Sequence, residues 1–129
     1  MKKWSHLRIP LYNLSAYLSI GETLGEAYRQ LPDKDWEEVE WLPEDDGCKA
    51  FFLCNEYSKS FAILLNEGKD RPTMSDIGHE TYHMVDAIMQ YIEEAPAWGS
   101  EPAAYLSGFI HEWIAAELKK MKVRIRIDS

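Results

Sequence analysis

Cysteine, positive charge and long apolar runs are all scarce in this chain. Two cysteines occur in 129 residues, Cys48 and Cys54, six positions apart in a stretch that reads as extended. At about 3.3 Å per residue they would stand about 20 Å apart, beyond the roughly 7 Å Cα limit for a disulfide. Buried thiols in a reducing cytoplasm are therefore expected. No segment approaches the roughly 18 to 20 consecutive apolar residues of a membrane span, so no membrane partner is expected. The opening Met-Lys-Lys-Trp is followed by Arg8, Asn13, Ser15, Ser19 and Glu22, which leaves no apolar run of the length an export signal requires. Lys and Arg number 14 against 22 Asp and Glu, a net charge of −8. That balance argues against sequence-independent nucleic-acid binding, which needs clustered cations. The densest basic stretch is the tail from Lys119 to Arg126.

What is present is the composition of a folded protein: 46% apolar residues, 12% aromatics and five Trp. The length suits one domain, residues 1–129, around one core. Residues 8 to 20 mix β-formers with polar positions, and Pro10 disfavours an interior strand start, so a loop leading to a short strand is expected. Leu24, Ala27, Tyr28 and Leu31 keep helical spacing before Pro32. Residues 32 to 47, with Trp36 and Trp41 among many acids, read as a solvated connection. Cys48–Cys54 and Ser60–Asn66 flank turn chemistry and predict a β-hairpin. Thr73-Met-Ser-Asp76 has the Thr-x-x-acid form of a helix N-cap, with Ser75 as the competing cap, for a helix from about Met74 to Glu94. After the break at Pro96, Gly99 and Ser100, a last helix runs to about Lys120, with Leu106, Phe109, Ile110, Trp113, Ile114 and Leu118 as its apolar positions. Val123 to Ile127 alternates as a strand would.

One place declares a chemistry. Residues 79 to 83, His-Glu-Thr-Tyr-His, spell His-Glu-x-x-His on the first of the two long helices. Shuffling this composition would give the pattern roughly 0.01 times per chain. On a helix, His79 and His83 lie about 40° apart around the axis and about 6 Å apart along it, so both imidazoles can reach one cation. Glu80, one step round, can stand beside that cation without ligating it, where a general base must be. The arrangement suits Zn2+. A catalytic zinc needs a third protein ligand and a vacancy. Glu101, eighteen residues after His83 at the start of the last helix, ranks first, followed by His111 and Glu112. Glu93 and Glu94 lie too far along their helix to return.

The hairpin, then Ile77-Gly-His-Glu-Thr-Tyr-His83, then Ser100-Glu-Pro-Ala-Ala-Tyr-Leu106, resembles the small zincin-like metallopeptidases encoded by bacteriophages and prophages. The likeness covers about residues 48 to 115. It implies an α+β, minimal zincin-like fold in which a small antiparallel sheet, the hairpin 48–66, packs on the His-Glu-x-x-His helix and a C-terminal helix. It further implies zinc on His79, His83 and Glu101, with Glu80 as general base. A peptide or protein substrate would lie along the hairpin strand. The chain departs from the large thermolysin-like enzymes at Tyr105, where they carry an aspartate that orients a histidine. Asp86 and Met89 exclude the metzincin extension. Asp86, Tyr105 and His111 are the candidates for orienting the ligands or binding an oxyanion, with Tyr82 a further donor. The expected function is thus a zinc-dependent hydrolase of amide bonds in the cytoplasm, a host cytoplasm if phage-encoded. The alternative is an inactive or weak zincin-like domain that binds a protein, with Trp36 or Trp41 as contact points.

Overall fold

A computed structural model of the chain describes residues 3–9, 14–32, 48–55, 59–92 and 101–126. In chain order these form β1 (Trp4–Ile9), β2 (Leu14–Gly21), α1 (Leu24–Arg29), β3 (Ala50–Asn55), β4 (Ser60–Asn66), α2 (Met74–Tyr91) and α3 (Glu101–Lys120). The fold is α+β. Its four strands make one sheet in the order β1-β2-β4-β3.

Strand β4 organises the sheet. All seven of its residues are buried, the near-continuous apolar run of a strand covered on both faces. It pairs antiparallel with β3, Phe52 opposite Ile63, and parallel with β2, Leu18 opposite the same Ile63. Strand alternation then sorts the side chains. Leu14, Ala16, Leu18 and Ile20 join Phe61, Ile63 and Leu65 against the helical layer of α2 and α3. Ala62 and Leu64 point the other way, onto Leu24 and Ala27 of α1. On that second face the buried Ser19 hydroxyl donates to the Ala27 carbonyl at 2.6 Å. The Gln30 side-chain amide donates to Ser19 Oγ at 2.8 Å and to the Ile20 carbonyl at 2.7 Å, fixing α1 to the sheet.

The predicted hairpin, the short helix before Pro32 and the two long helices are all present. Two expectations change. Residues 8–20 do hold the expected strand, β2 (Leu14–Gly21), but it pairs antiparallel with an earlier strand that the sequence did not announce, β1 (Trp4–Ile9); residues 10–13 between them lie outside the described residues. The expected small antiparallel sheet is accordingly a four-stranded mixed one, because β4 uses its second edge to take β2 in parallel. A third difference is local. Cys48 and Cys54 form no disulfide, but Cys54 is exposed rather than buried because β3 is an edge strand. The alternating tail contributes one bridge, Thr73 with Arg126, rather than a strand. Trp36, Trp41, Glu93 and Glu94 lie outside the described residues. Among the described residues, no helix is long and apolar enough to cross a membrane.

The start of α2 is fixed by a capping box. Thr73 is the N-cap, and its hydroxyl accepts from the Asp76 amide at 3.2 Å while the Asp76 carboxylate accepts from the Thr73 amide at 2.8 Å. The Thr73 amide bond, aided by the Thr73 hydroxyl, Lys49 and Arg126, holds the Asp76 carboxyl below its usual value of 3.8 despite partial desolvation. A depressed carboxylate stabilises the fold above its unfolded pKa, and that contribution is lost as pH falls through the folded one. Asp76→Ala should therefore cost about 0.5–2 kcal/mol at pH 7. Urea midpoints of the variant and wild type should converge as the pH falls below the usual aspartate range.

Candidate metal centre

Helix α2 buries Ile77, Thr81, Met84, Val85, Ile88 and Met89. At 100° per residue that face leaves positions 79 and 83 on the opposite side. His79 and His83 accordingly face solvent, the His79 side chain being 67% exposed. Their Nε2 atoms stand 3.1 Å apart, and the rings meet edge to face with centroids at 4.6 Å. An imidazole–imidazole hydrogen bond at that distance needs one Nε2 to donate its N–H and the other to accept through its lone pair. Two nitrogens bound tetrahedrally at about 2.0–2.1 Å from zinc would be separated by about 3.3 Å. The separation in the pair is close to that edge length, and the exposed side of both rings is open to solvent.

Glu80 lies at the border between that face and the core. Its carboxylate is 3.8 Å from His79 Nε2, and its side chain is only 13% exposed. The carboxylate is covered by β3, whose Phe52 backbone N–H donates to it. Burial raises the Glu80 pKa above the ordinary glutamate value. His79, His83 and the Phe52 amide oppose that shift without cancelling it. The register of β3 explains why this amide is available. The Asn66 amide donates to the Lys49 carbonyl, so alternation turns the amides of residues 51, 53 and 55 toward β4 and that of Phe52 toward α2. The sequence predicted the hairpin but contained no signal for this contact, which depends on which strand edge reaches α2.

The other predicted residues are more scattered. Asp86, half-buried and about one turn past His83, accepts from the Gln90 side chain at 2.9 Å. Tyr82 is 49% exposed and Tyr105 75% exposed. The Tyr82 ring touches His83 with centroids 5.9 Å apart. His111, half-buried on α3, comes beside Gly78: a Cβ built on that glycine would lie 3.8 Å from its ring. Because Arg126, beyond α3, donates to the Pro72 carbonyl that precedes α2, the two helices run antiparallel. Glu101 opens α3, about 15 Å along that helix from His111 and toward the C-terminal half of α2. Its side chain is outside the described residues. Glu112 is exposed on α3. Among the described residues, no three His, Cys, Asp or Glu side chains group to hold a metal. The structure thus brings His79, His83 and Glu80 together, and places His111 beside Gly78, the residue before His79.

Comparison of the chain with protein-family models, curated proteins and solved structures gave no match in any of the three.

Proposed function

We propose that the chain is a small zinc-dependent hydrolase of amide bonds, of the kind its resemblance to phage and prophage zincins implies. One observation carries this reading. Two imidazole nitrogens are preset at 3.1 Å beside a glutamate that is largely buried yet only 3.8 Å from one of them. A solvated polar helix stripe would have no reason to bury its acid. Zinc at this pair would supply Lewis acidity, bringing the pKa of a water toward about 7. Glu80 takes the proton of the attacking water and delivers it to the leaving amine, so that one amide and one water become a carboxylic acid and an amine. Its raised pKa suits both halves of that transfer. His79 and His83 hold the cation. Glu101 is the preferred third ligand, with His111 as the competitor closer in register. The substrate is a peptide or protein, and the cytoplasm suits two thiols outside any disulfide.

A second reading is a zincin-like domain that binds a protein rather than cleaving one. It is supported by Tyr82, Tyr105 and Phe109, large side chains left 49%, 75% and 46% exposed on the two helices. Zinc content by elemental analysis and turnover of a mixed peptide library, measured on the same preparations, decide between the two. Wild type should hold about one zinc per chain and His79→Ala close to none. Glu101→Ala and His111→Ala should identify the third ligand by which of them releases the metal. Wild-type protein purified with zinc available but retaining none would rule the hydrolase out.

A further inference from the structure

Away from the histidine pair, the carboxyl ends of the parallel strands β2 and β4 open onto a pocket of opposite character to the rest of this acidic chain. Four cations line a cavity of about 320 Å³: Lys3, Arg71, Lys122 and Arg124, with Glu22 and Glu67. They come from three distant segments of the sequence, joined where Arg126 donates to the Pro72 carbonyl. Lys3 is neutralised by Glu67, with Nζ 2.7 Å from its carboxylate. Arg71 donates through Nε to the Glu67 backbone carbonyl at 2.9 Å, which fixes the guanidinium while leaving its terminal amino groups to spare. Among the described residues, none of Arg71, Lys122 and Arg124 forms an ion pair. Arg71, Lys122 and Arg124 thus converge with one further carboxylate, Glu22, that is ion-paired to none of them, so the cations outnumber the acids here in a chain with eight more acids than bases.

Lys122 adds an independent observation. It sits at φ 57° just past α3, where the Val123 amide donates to the Leu118 carbonyl and the Lys122 amide to the Lys119 carbonyl. That is a helix stop whose left-handed position normally carries glycine. A lysine there bears the strain of a left-handed backbone, as Lys59 does at φ 55°. Its side chain, with that of Lys3, also walls a second, open cavity of about 700 Å³ that includes Trp4 and Met121. Charged and apolar compartments thus share two lysines, and their sizes match those of small-molecule sites.

We propose that this is a binding site for a small organic anion. Its oxyanion head, phosphate or carboxylate, is held by Arg71, Lys122 and Arg124, and its apolar body lies against Trp4 and Met121. The site is independent of the metal centre. Isothermal titration with phenyl phosphate, benzoate, inorganic phosphate and phenol tests it on the intact chain. Phenyl phosphate or benzoate should bind at least tenfold more tightly than inorganic phosphate or phenol, and whichever is tighter identifies the head. Arg71→Gln and Arg124→Gln should each weaken that binding about tenfold, the loss of one charge-assisted hydrogen bond. Lys69→Gln, an exposed lysine outside both cavities, should change nothing. Lys122→Gly is the sharpest variant: glycine relieves the strained φ, so the Tm should hold or rise while affinity falls. No heat with any probe up to about 10 mM would overturn the proposal. So would binding that the three pocket variants leave intact, and so would equal affinity for inorganic and phenyl phosphate.

Discussion

Glu80→Gln is expected to lower peptide turnover by about 10²–10⁴-fold, the range a positioned general base contributes, while zinc content stays at the wild-type level. The substitution keeps size and shape, and the glutamine carbonyl can still accept the Phe52 amide that covers the carboxylate. What it removes is the capacity to take a proton. Stability should move the other way. Because burial raises the Glu80 pKa, the fold favours the protonated acid; that contribution is complete below the usual glutamate pKa and is lost as pH rises through the raised one. At neutral pH the neutral glutamine should therefore be at least as stable as wild type, with a flatter dependence of urea midpoint on pH. An inactive but well-folded, zinc-loaded variant separates chemistry from folding. If wild type and variant turn over equally while both hold zinc, the hydrolase reading fails and the binding-module reading takes its place.

How much of this could be seen in the sequence depended on how local each feature is. The hairpin of β3 and β4, the capping box at Thr73 and the spacing of both long helices are set by neighbours within a few residues, and each is found where the pattern placed it. The histidine pair was legible for the same reason, since one helical turn fixes its geometry. Strand β1 was hidden because its half-buried and exposed residues, Trp4 to Arg8, show no clean apolar alternation. The parallel pairing of β2 with β4 has no local signature, for it joins segments more than forty residues apart. The Glu80 carboxylate was identified by its motif. Its burial was not, because the covering amide of Phe52 comes from a strand in another part of the chain. The cation cluster was invisible in the same way, being assembled from residues 3, 71, 122 and 124 only by the fold.

Ile63→Ala should give the largest loss of stability, about 2–5 kcal/mol, out of the roughly 5–15 kcal/mol a domain of this kind holds. Ile63 is fully buried at the centre of β4, paired with Leu18 of β2 on one side and Phe52 of β3 on the other. Its side chain packs in the cluster that includes Ile77, Ile88 and Ile110 of the two long helices, so the cavity left behind would be walled by two layers that cannot both collapse into it. Ile63→Val, which removes one methylene group, should cost about 0.5–1.5 kcal/mol. The same position bears on the metal centre. Phe52, whose amide caps Glu80, is the direct cross-strand partner of Ile63, so loosening β4 should expose Glu80 to water and let its pKa relax toward the ordinary glutamate value. Urea denaturation of the two variants checks the stability order, and the acid limb of the activity profile reports Glu80. A fall of less than about 1 kcal/mol for Ile63→Ala would be smaller than any well-packed core site gives, and would place the sheet and the helical layer further apart than this packing requires.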